Sequence, residues 1–382
     1  MKKIAVITGT RADYGLLHWI LKEIDEDTDL ELRLIVTGMH LSQEFGLTIK
    51  EIEKDGFKID EKVEMLLSSD TGVGIAKSIG LGVIGFADVL ERLDPDILLV
   101  LGDRFEIFAA CTAAMALNIP IAHIAGGEST EGVIDEQIRH AITKMSHIHF
   151  PSIEFYAKRI RRMGEEDWRV FVVGGTGLDH IKRLDLMTKD EIERVLDIKI
   201  EKPTLLVTYH PVTLESEDTD RQVDELLRAL EETGARIIFT YPNAEVKSRE
   251  IIKKIKGFVL NYPKAKIFIN LGQRRYLSLL KYVDVMIGNS SSGIIEAPSF
   301  ELPVVNIGNR QKGRIRARNV IDVGYTKEEI IKGIDRALDK GFKRSLKGLK
   351  NPYGNGDSSK RIVDVLKSIE IDDRLLKKRF SD

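Results

Sequence analysis

The sequence predicts an α/β fold built as two doubly wound domains facing a cleft. Three observations carry that expectation. At 382 residues the chain exceeds one domain of ordinary size. Short, continuous apolar runs recur in both halves, separated by stretches of helical character, and such runs are parallel strands covered on both faces. Between the two series lies "VGGTGLDHIKRLDLMTKDEIERVLDIKIEKP", with glycines near its start and a proline at its end, suited to a connection with a helix of its own.

The first half supplies the strand candidates "IAVIT", "LRLIVT", "ILLVL", "IAHI", "IHF" and "RVFVV", and the second supplies "TLLVT", "RIIFT", "KIFI", "DVMIG" and "PVVNI". No fixed-period repeat relates the halves, so their similarity is architectural. The expected boundaries are 1–175 for the first domain, 176–202 for the connection and hinge, and 203–357 for the second domain. In doubly wound sheets ligands bind beyond the carboxyl ends of the strands, so candidate residues are those that follow strands.

Composition narrows the function classes. A formal charge of -2 gives no general electrostatic reason for nucleic-acid binding. No apolar run approaches the roughly 18 to 20 uncharged residues needed to span a bilayer, and "MKKIAVITGT" places a glycine where a signal peptide's apolar core would continue. The expectation is a cytoplasmic protein without a membrane partner. The single cysteine, Cys111, excludes an intrachain disulfide framework and a multi-cysteine zinc site, and its alanine-rich surroundings fit a small buried residue.

Arg11 and Asp13 follow the first strand. A dinucleotide fingerprint needs G-x-G-x-x-G there, and only Gly9 and Gly15 are present, which argues against a nicotinamide dehydrogenase. Asp103 and Arg104 follow "ILLVL", with Glu106 in the next helical turn, whereas Asp94 and Asp96 precede that strand and belong at the opposite end of the sheet. After "IAHI", Gly126 and Gly127 lead to Glu128, Glu131, Asp135, Glu136, Arg139 and His140. An i, i+4 pair of Asp135 with Arg139 would be worth only about 0.2–0.5 kcal/mol, but crowded carboxyls there can also divide into proton donor and acceptor.

In the second half His210 and Asn243 follow successive strands. Ser290, Ser291 and Ser292 lie between Gly288 and Gly293 at an expected helix start, where amides and hydroxyls suit phosphate oxygens. A capping box opening at Ser292 would require an acid at 295. The chain has Ile295 there, and Glu296 comes one residue late, which favours a ligand role for it. The loop bearing Arg310, Lys312, Arg314, Arg316 and Arg318 is positive enough to clamp a diphosphate.

With these residues assembled, the chain resembles the hydrolysing UDP-N-acetylglucosamine 2-epimerases of sialic-acid and legionaminic-acid pathways. The resemblance lies in "TGTRADYGLL", "VTGMHLSQEFG", "LGDRFEI", "HIAGGESTEGVIDEQIRHAITKMSHIHF", "YHPVT", "IGNSSSGIIEAPSF" and "NIGNRQKGR", in that order. It implies two Rossmann-like domains in the GT-B arrangement, the first completed by C-terminal helices of 358–382. It also implies elimination of UDP from UDP-N-acetylglucosamine to a 2-acetamidoglucal, then hydration to free N-acetylmannosamine, with no cofactor and no metal. The enzyme would assemble as a homodimer or homotetramer.

By the same resemblance Asp103, Glu128, Asp135 and His210 are catalytic. Arg11, Asp13, His40, Arg139, His140, Asn243, Ser290, Ser291, Ser292, Glu296 and Arg314 would bind the sugar nucleotide. One departure is Ala125 in "HIAGG", where relatives often carry Glu, and Glu128 is the candidate to supply that carboxylate. The same chemistry on UDP-2,4-diacetamido-2,4,6-trideoxyglucose or GDP-linked N-acetylglucosamine is an alternative, as is a GT-B glycosyltransferase. A non-catalytic sugar-nucleotide sensor would tolerate loss of Asp103 or Asp135, and their presence argues for an enzyme.

Overall fold

The computed structural model describes residues 1–44, 46–67, 71–129, 134–211, 218–242 and 247–381. The chain divides into two compact units, one comprising Met1–Asp179 with Gly356–Asp382 and the other His180–Asn355. Among the described residues the first unit contains β1 (Lys2–Thr8), β2 (Leu30–Thr37), β3 (Glu61–Val63), β4 (Ile97–Leu101), β5 (Ile121–Ile124) and β6 (Ile148–Phe150). They form one parallel sheet in the order β3-β2-β1-β4-β5-β6.

The second unit contains β7 (Thr204–Thr208), β8 (Arg236–Thr240), β9 (Ala265–Phe268), β10 (Val285–Gly288), β11 (Val304–Ile307) and β12 (Val320–Val323). Its parallel order is β12-β11-β10-β7-β8-β9. Counted from each unit's own first strand, both sheets run 3-2-1-4-5-6, the dinucleotide-fold order whose direction reverses between strands 1 and 4.

The continuous apolar runs are explained by burial on two faces. In β1, Ile4 and Val6 pack with Leu17, Ile20 and Leu99 on one face, while Ala5 and Ile7 pack with Phe86, Leu98 and Ala110 on the other. The C-terminal return is part of the first unit's core. Ile362, Val363, Leu366 and Leu375 join the Ile4 cluster, and the Lys2 ammonium donates to the carbonyls of Leu366, Lys367 and Ile369 at 2.8, 3.1 and 2.6 Å. Fully buried Arg169 donates to the carbonyls of Leu375 and Arg374 at 2.9 and 2.7 Å.

Three local expectations change. "RVFVV" forms no named strand, because Val170 makes only an isolated bridge with His149 before the chain turns at Thr176–Leu178. Conversely, β3 and β12 escape the apolar-run criterion, since they read EKV and VIDV and lie at sheet edges. Most of the segment expected as a connection packs on the second sheet. Its helix Lys189–Leu196 opens with a Thr188–Glu191 capping box and buries Ile192 and Leu196 with Leu206 and Ile238.

Helix Gly72–Leu93 has a window of mean hydropathy 1.7, apolar and long enough to cross a membrane by composition alone. Its inner face is core, with Phe86, Val89 and Leu90 in contact with the β1 and β4 side chains.

Candidate active site

In each unit the residues singled out from sequence gather where the strand order reverses. In the first unit that point lies beyond β1 and β4. Thr10 caps helix Arg11–Asp25, its hydroxyl accepting from the Asp13 amide at 3.2 Å, which leaves Arg11 exposed and Asp13 half-buried in the first turn. Gly102, at φ +78°, turns the chain after β4, so that Asp103 and Arg104 precede helix Phe105–Ala116.

Beneath this rim lies a carboxylate whose setting only the structure reveals. Glu106 is fully buried, and Arg104 holds it through Nε at 3.1 Å and Nη2 at 2.8 Å. Gly38, at φ +60°, provides the space, because a Cβ there would stand 2.9 Å from the Glu106 Oε1. Glu106 looked like an ordinary helix-start acid in the sequence; the signal for its burial was a glycine from another strand end.

Arg139 does not form the simple helical pair with Asp135. Its nearly buried guanidinium engages the Asp103 carboxylate, donates to Glu136 Oε2 at 2.9 Å, and reaches the Glu128 carbonyl at 3.1 Å. The long-range partner wins because Asp103 sits 36 residues away in sequence at the neighbouring strand end. Glu136 also accepts from Ser129 at 2.9 Å and bonds His140 Nε2 at 3.1 Å. Glu128 accepts from Ser152 at 3.1 Å.

Two further carboxyls keep protons more tightly than usual. Burial pushes Asp13 up to about 6 against the pull of Arg104, and its Oδ2 has no hydrogen-bond partner among the described residues. Burial likewise raises Asp135, again against Arg104. Arg104 thus lies among Asp13, Glu106 and Asp135.

His40 is placed differently. It is fully buried, with Nε2 at 3.0 Å from Thr8 and Nδ1 at 2.7 Å from Thr48, and burial lowers it to about 4. Its two ring nitrogens thus tie the end of β1 to Thr48, the residue that precedes helix Ile49–Lys54. His123 plays a similar part, bonding the Gly102 carbonyl at 2.7 Å.

In the second unit the reversal lies beyond β7 and β10. Asn289 is fully buried and bridges the two strand ends, accepting from the His210 amide at 2.7 Å and donating to the His210 carbonyl at 2.8 Å. Gly288 allows this approach, since a Cβ would lie 1.9 Å from the Thr208 oxygen at a φ of +130°. His210 is 5% exposed, and burial followed by the nearby Arg310 lowers it to about 3. Sequence reasoning passed over Asn289 as one member of a polar run, although the Gly-Asn pair at a strand end was the available signal.

Ser290, Ser291 and Ser292 follow directly. The Ser290 hydroxyl accepts from the Ser292 amide at 3.4 Å, while the Ser292 hydroxyl accepts from Tyr276 at 2.8 Å. The expected helix is only Ser292–Ile295, continued by a 3-10 turn over Ala297–Phe300 that contains Pro298. Burial raises the Glu296 carboxyl, opposed by Ser292 and Arg314, and its Oε2 has no partner among the described residues. Arg310 and Gln311 both donate to the Asn289 carbonyl, tying the basic loop to the serine loop. Asn243 and Glu131 lie outside the described residues.

A profile of the family described as UDP-N-acetylglucosamine 2-epimerase matches residues 22–367. The chain belongs to that family. In this epimerase-family chain the similarity extends to both ends. It is 43% identical to the GDP/UDP-N,N'-diacetylbacillosamine 2-epimerase (hydrolyzing) of Campylobacter jejuni, covering 100% of this chain and 99% of the relative. It is 40% identical to the UDP-N,N'-diacetylbacillosamine 2-epimerase (hydrolyzing) of Legionella pneumophila, over 99% of each. The crystal structure of the Neisseria meningitidis UDP-GlcNAc 2-epimerase bound to UDP-GlcNAc superposes with a TM-score of 0.80 at 20% identity, covering 96% of this chain and 99% of that one. The architecture is therefore that of the GT-B-like epimerases.

Within this epimerase-family frame, Ala125 adopts φ +64° directly after β5. A methyl group there has no ionisable proton, so the carboxyls available beside it are those on the neighbouring strand ends, on Glu128 and on helix Ile134–Met145.

Proposed function

We propose that the protein is a hydrolysing 2-epimerase that converts a nucleotide-linked 2-acetamido sugar and water into the free 2-epimeric sugar and a nucleoside diphosphate. The observation that carries this reading is the division among carboxyls in the first unit. Asp103 is paired with Arg139, whereas Asp13 and Asp135 lie half-buried near Arg104 and bind protons more tightly. Neighbouring carboxyls held in different proton states are what paired proton transfers require.

Elimination removes the C2 proton to a carboxylate as the C1–O bond breaks, and the leaving oxygen takes the bond's electron pair into the departing diphosphate. Hydration of the resulting glycal returns a proton to C2 from the opposite face and adds water at C1. Asp103, Glu128 and Asp135 are the proposed proton carriers. In the second unit the serine loop, His210 and Arg314 hold the diphosphate, and Glu296 meets ribose hydroxyls. A ring lowered to about 3 is neutral at physiological pH, so His210 acts as a hydrogen-bonding group rather than a standing charge. Arg11, Asp13, Arg139 and His140 complete the sugar side.

The diacetamido sugar named for the two relatives at 43% and 40% identity is the substrate proposed first. UDP-N-acetylglucosamine, giving N-acetylmannosamine, is second because the family carries its name. Proton NMR in deuterated water with each of the two UDP-sugars tests the reading. A free 2-epimer carrying deuterium at C2, together with UDP, is the expected product. An epimer still linked to its nucleotide would overturn the hydrolytic step, and no turnover of either sugar would overturn the assignment.

A further inference from the structure

Glu106 occupies a place that the fold itself does not require. An acid in the first turn of a helix benefits from the helix dipole while it stays at the surface, yet this side chain is fully buried. It runs beneath the ends of two strands. A Cβ at Gly9, just after β1, would lie 3.6 Å from its Cδ, and one at Gly38, just after β2, would lie 2.9 Å from its Oε1. An ion pair in such a place brings little stability over apolar side chains of the same size, which points to a use other than folding.

The partner shows what that use is. Both Glu106 oxygens hold one edge of Arg104, through Nε and Nη2, and this two-point grip sets the orientation of the guanidinium. Nη1 makes no hydrogen bond among the described residues, and the Arg104 side chain is 30% exposed. Asp13 at the start of helix Arg11–Asp25 and Asp135 at the start of helix Ile134–Met145 both feel this cation, and among the described residues neither pairs with it directly. The other charged or titratable groups nearby are engaged elsewhere. Asp103 lies against Arg139, Arg11 is exposed, and the buried His40 ring is held between Thr8 and Thr48.

We infer that Glu106 is a positioning residue for the reaction: from beneath the strand ends it fixes Arg104 near Asp13 and Asp135 and cancels part of the positive charge that those carboxyls meet. An unmasked guanidinium would keep both as carboxylates, able to accept a proton and unable to supply one. With Glu106 under it, the cation is oriented without stripping protons from its neighbours. The opposed influences on Asp13 agree with this, since burial raises it to about 6, Arg104 pulls it down and Glu106 pushes it up. Asp135 follows the same pattern. The use of this arrangement rests on the proton transfers proposed above, whereas the masking of charge is measurable without them.

The test is a carbon-13 NMR titration of the full chain labelled at the aspartate carboxyls, with Asp13→Asn assigning the Asp13 signal. Glu106→Gln still accepts from Arg104 and should keep the far-UV spectrum, while the Asp13 midpoint falls by about one unit or more. Adding Arg104→Gln removes the unmasked cation and should return the midpoint to near 6. An unmoved midpoint in Glu106→Gln, or a double variant that keeps the lowered one, would overturn the masking. Should Glu106→Gln not fold, the same charge is read as a midpoint at least about one unit lower in the double variant than in Arg104→Gln alone. Turnover supplies the second readout: the pH dependence of kcat should move in the direction of the midpoint, and a profile that stays fixed while the midpoint shifts would overturn the link to the reaction. A wild type that turns over neither sugar overturns the proposed function instead, and the titration still decides the masking.

Discussion

At the scale of single residues, the first unit sets two carboxyls of one site to different tasks. Asp103 lies against a guanidinium that is itself buried, so Asp103→Asn keeps the shape and removes the charge. Turnover should fall by about 10²–10⁴, the usual worth of a positioned acid or base, while calorimetry should find UDP affinity largely kept. Unchanged turnover would remove Asp103 from the mechanism.

Asp13 makes a different signature. Its raised value of about 6 means that the folded state resists ionising it, so between the unfolded value of 3.8 and 6 the native protein binds more protons and loses stability as pH rises. Asp13→Asn should therefore raise the melting temperature at pH 7, by the equivalent of about 1–3 kcal/mol. It should also erase any inflection near pH 6 in kcat/KM. An inflection that persists in the variant belongs to another group.

At the scale of elements, the strand ends decide where chemistry sits. Gly288→Ala would drive a methyl group into the Thr208 carbonyl, forcing β10 from β7 and breaking the Asn289 bridge. The expected outcome is loss of UDP binding with a melting transition lowered by several degrees, and an unperturbed affinity would show that the serine loop tolerates that displacement.

Such positions also show what could be read in advance. The buried strands were legible, because β1, β4, β7 and β10 are apolar on both faces and leave no choice of side. Edge strands β3 and β12 were not, since charged residues, two in EKV and one in VIDV, break the apolar runs that would reveal them. Residues placed by strand ends, such as Asp103 and His210, were legible from position alone. Partnerships were not: that Arg139 selects Asp103 over Asp135, and that Gly38 makes room for Glu106, depends on segments remote in sequence meeting in space.

At the scale of the whole molecule, buried histidines predict how it fails in acid. His40, His123 and His147 in the first unit fall to about 4, 3 and 4, and His210 in the second to about 3, each chiefly through burial. Between pH 6.5 and about 4 the unfolded chain takes up protons that the folded chain refuses, so stability drops by up to about 1.4 kcal/mol per pH unit for each ring. Three of these four rings belong to the first unit. Calorimetric scans from pH 7 to 4.5 should show its transition moving down further than that of the second, and equal shifts would contradict this account.

The fastening of Lys2 onto the carbonyls at 366–369 has a consequence for how the chain is made. The second unit is contiguous and has all its residues once position 355 has left the ribosome. The first unit begins earlier but cannot close its core until Leu375 arrives to join strands synthesised some 370 residues before. Synthesis order and completion order are therefore reversed, and a chain cut short in its last twenty residues would release a finished second unit attached to an unfinished first.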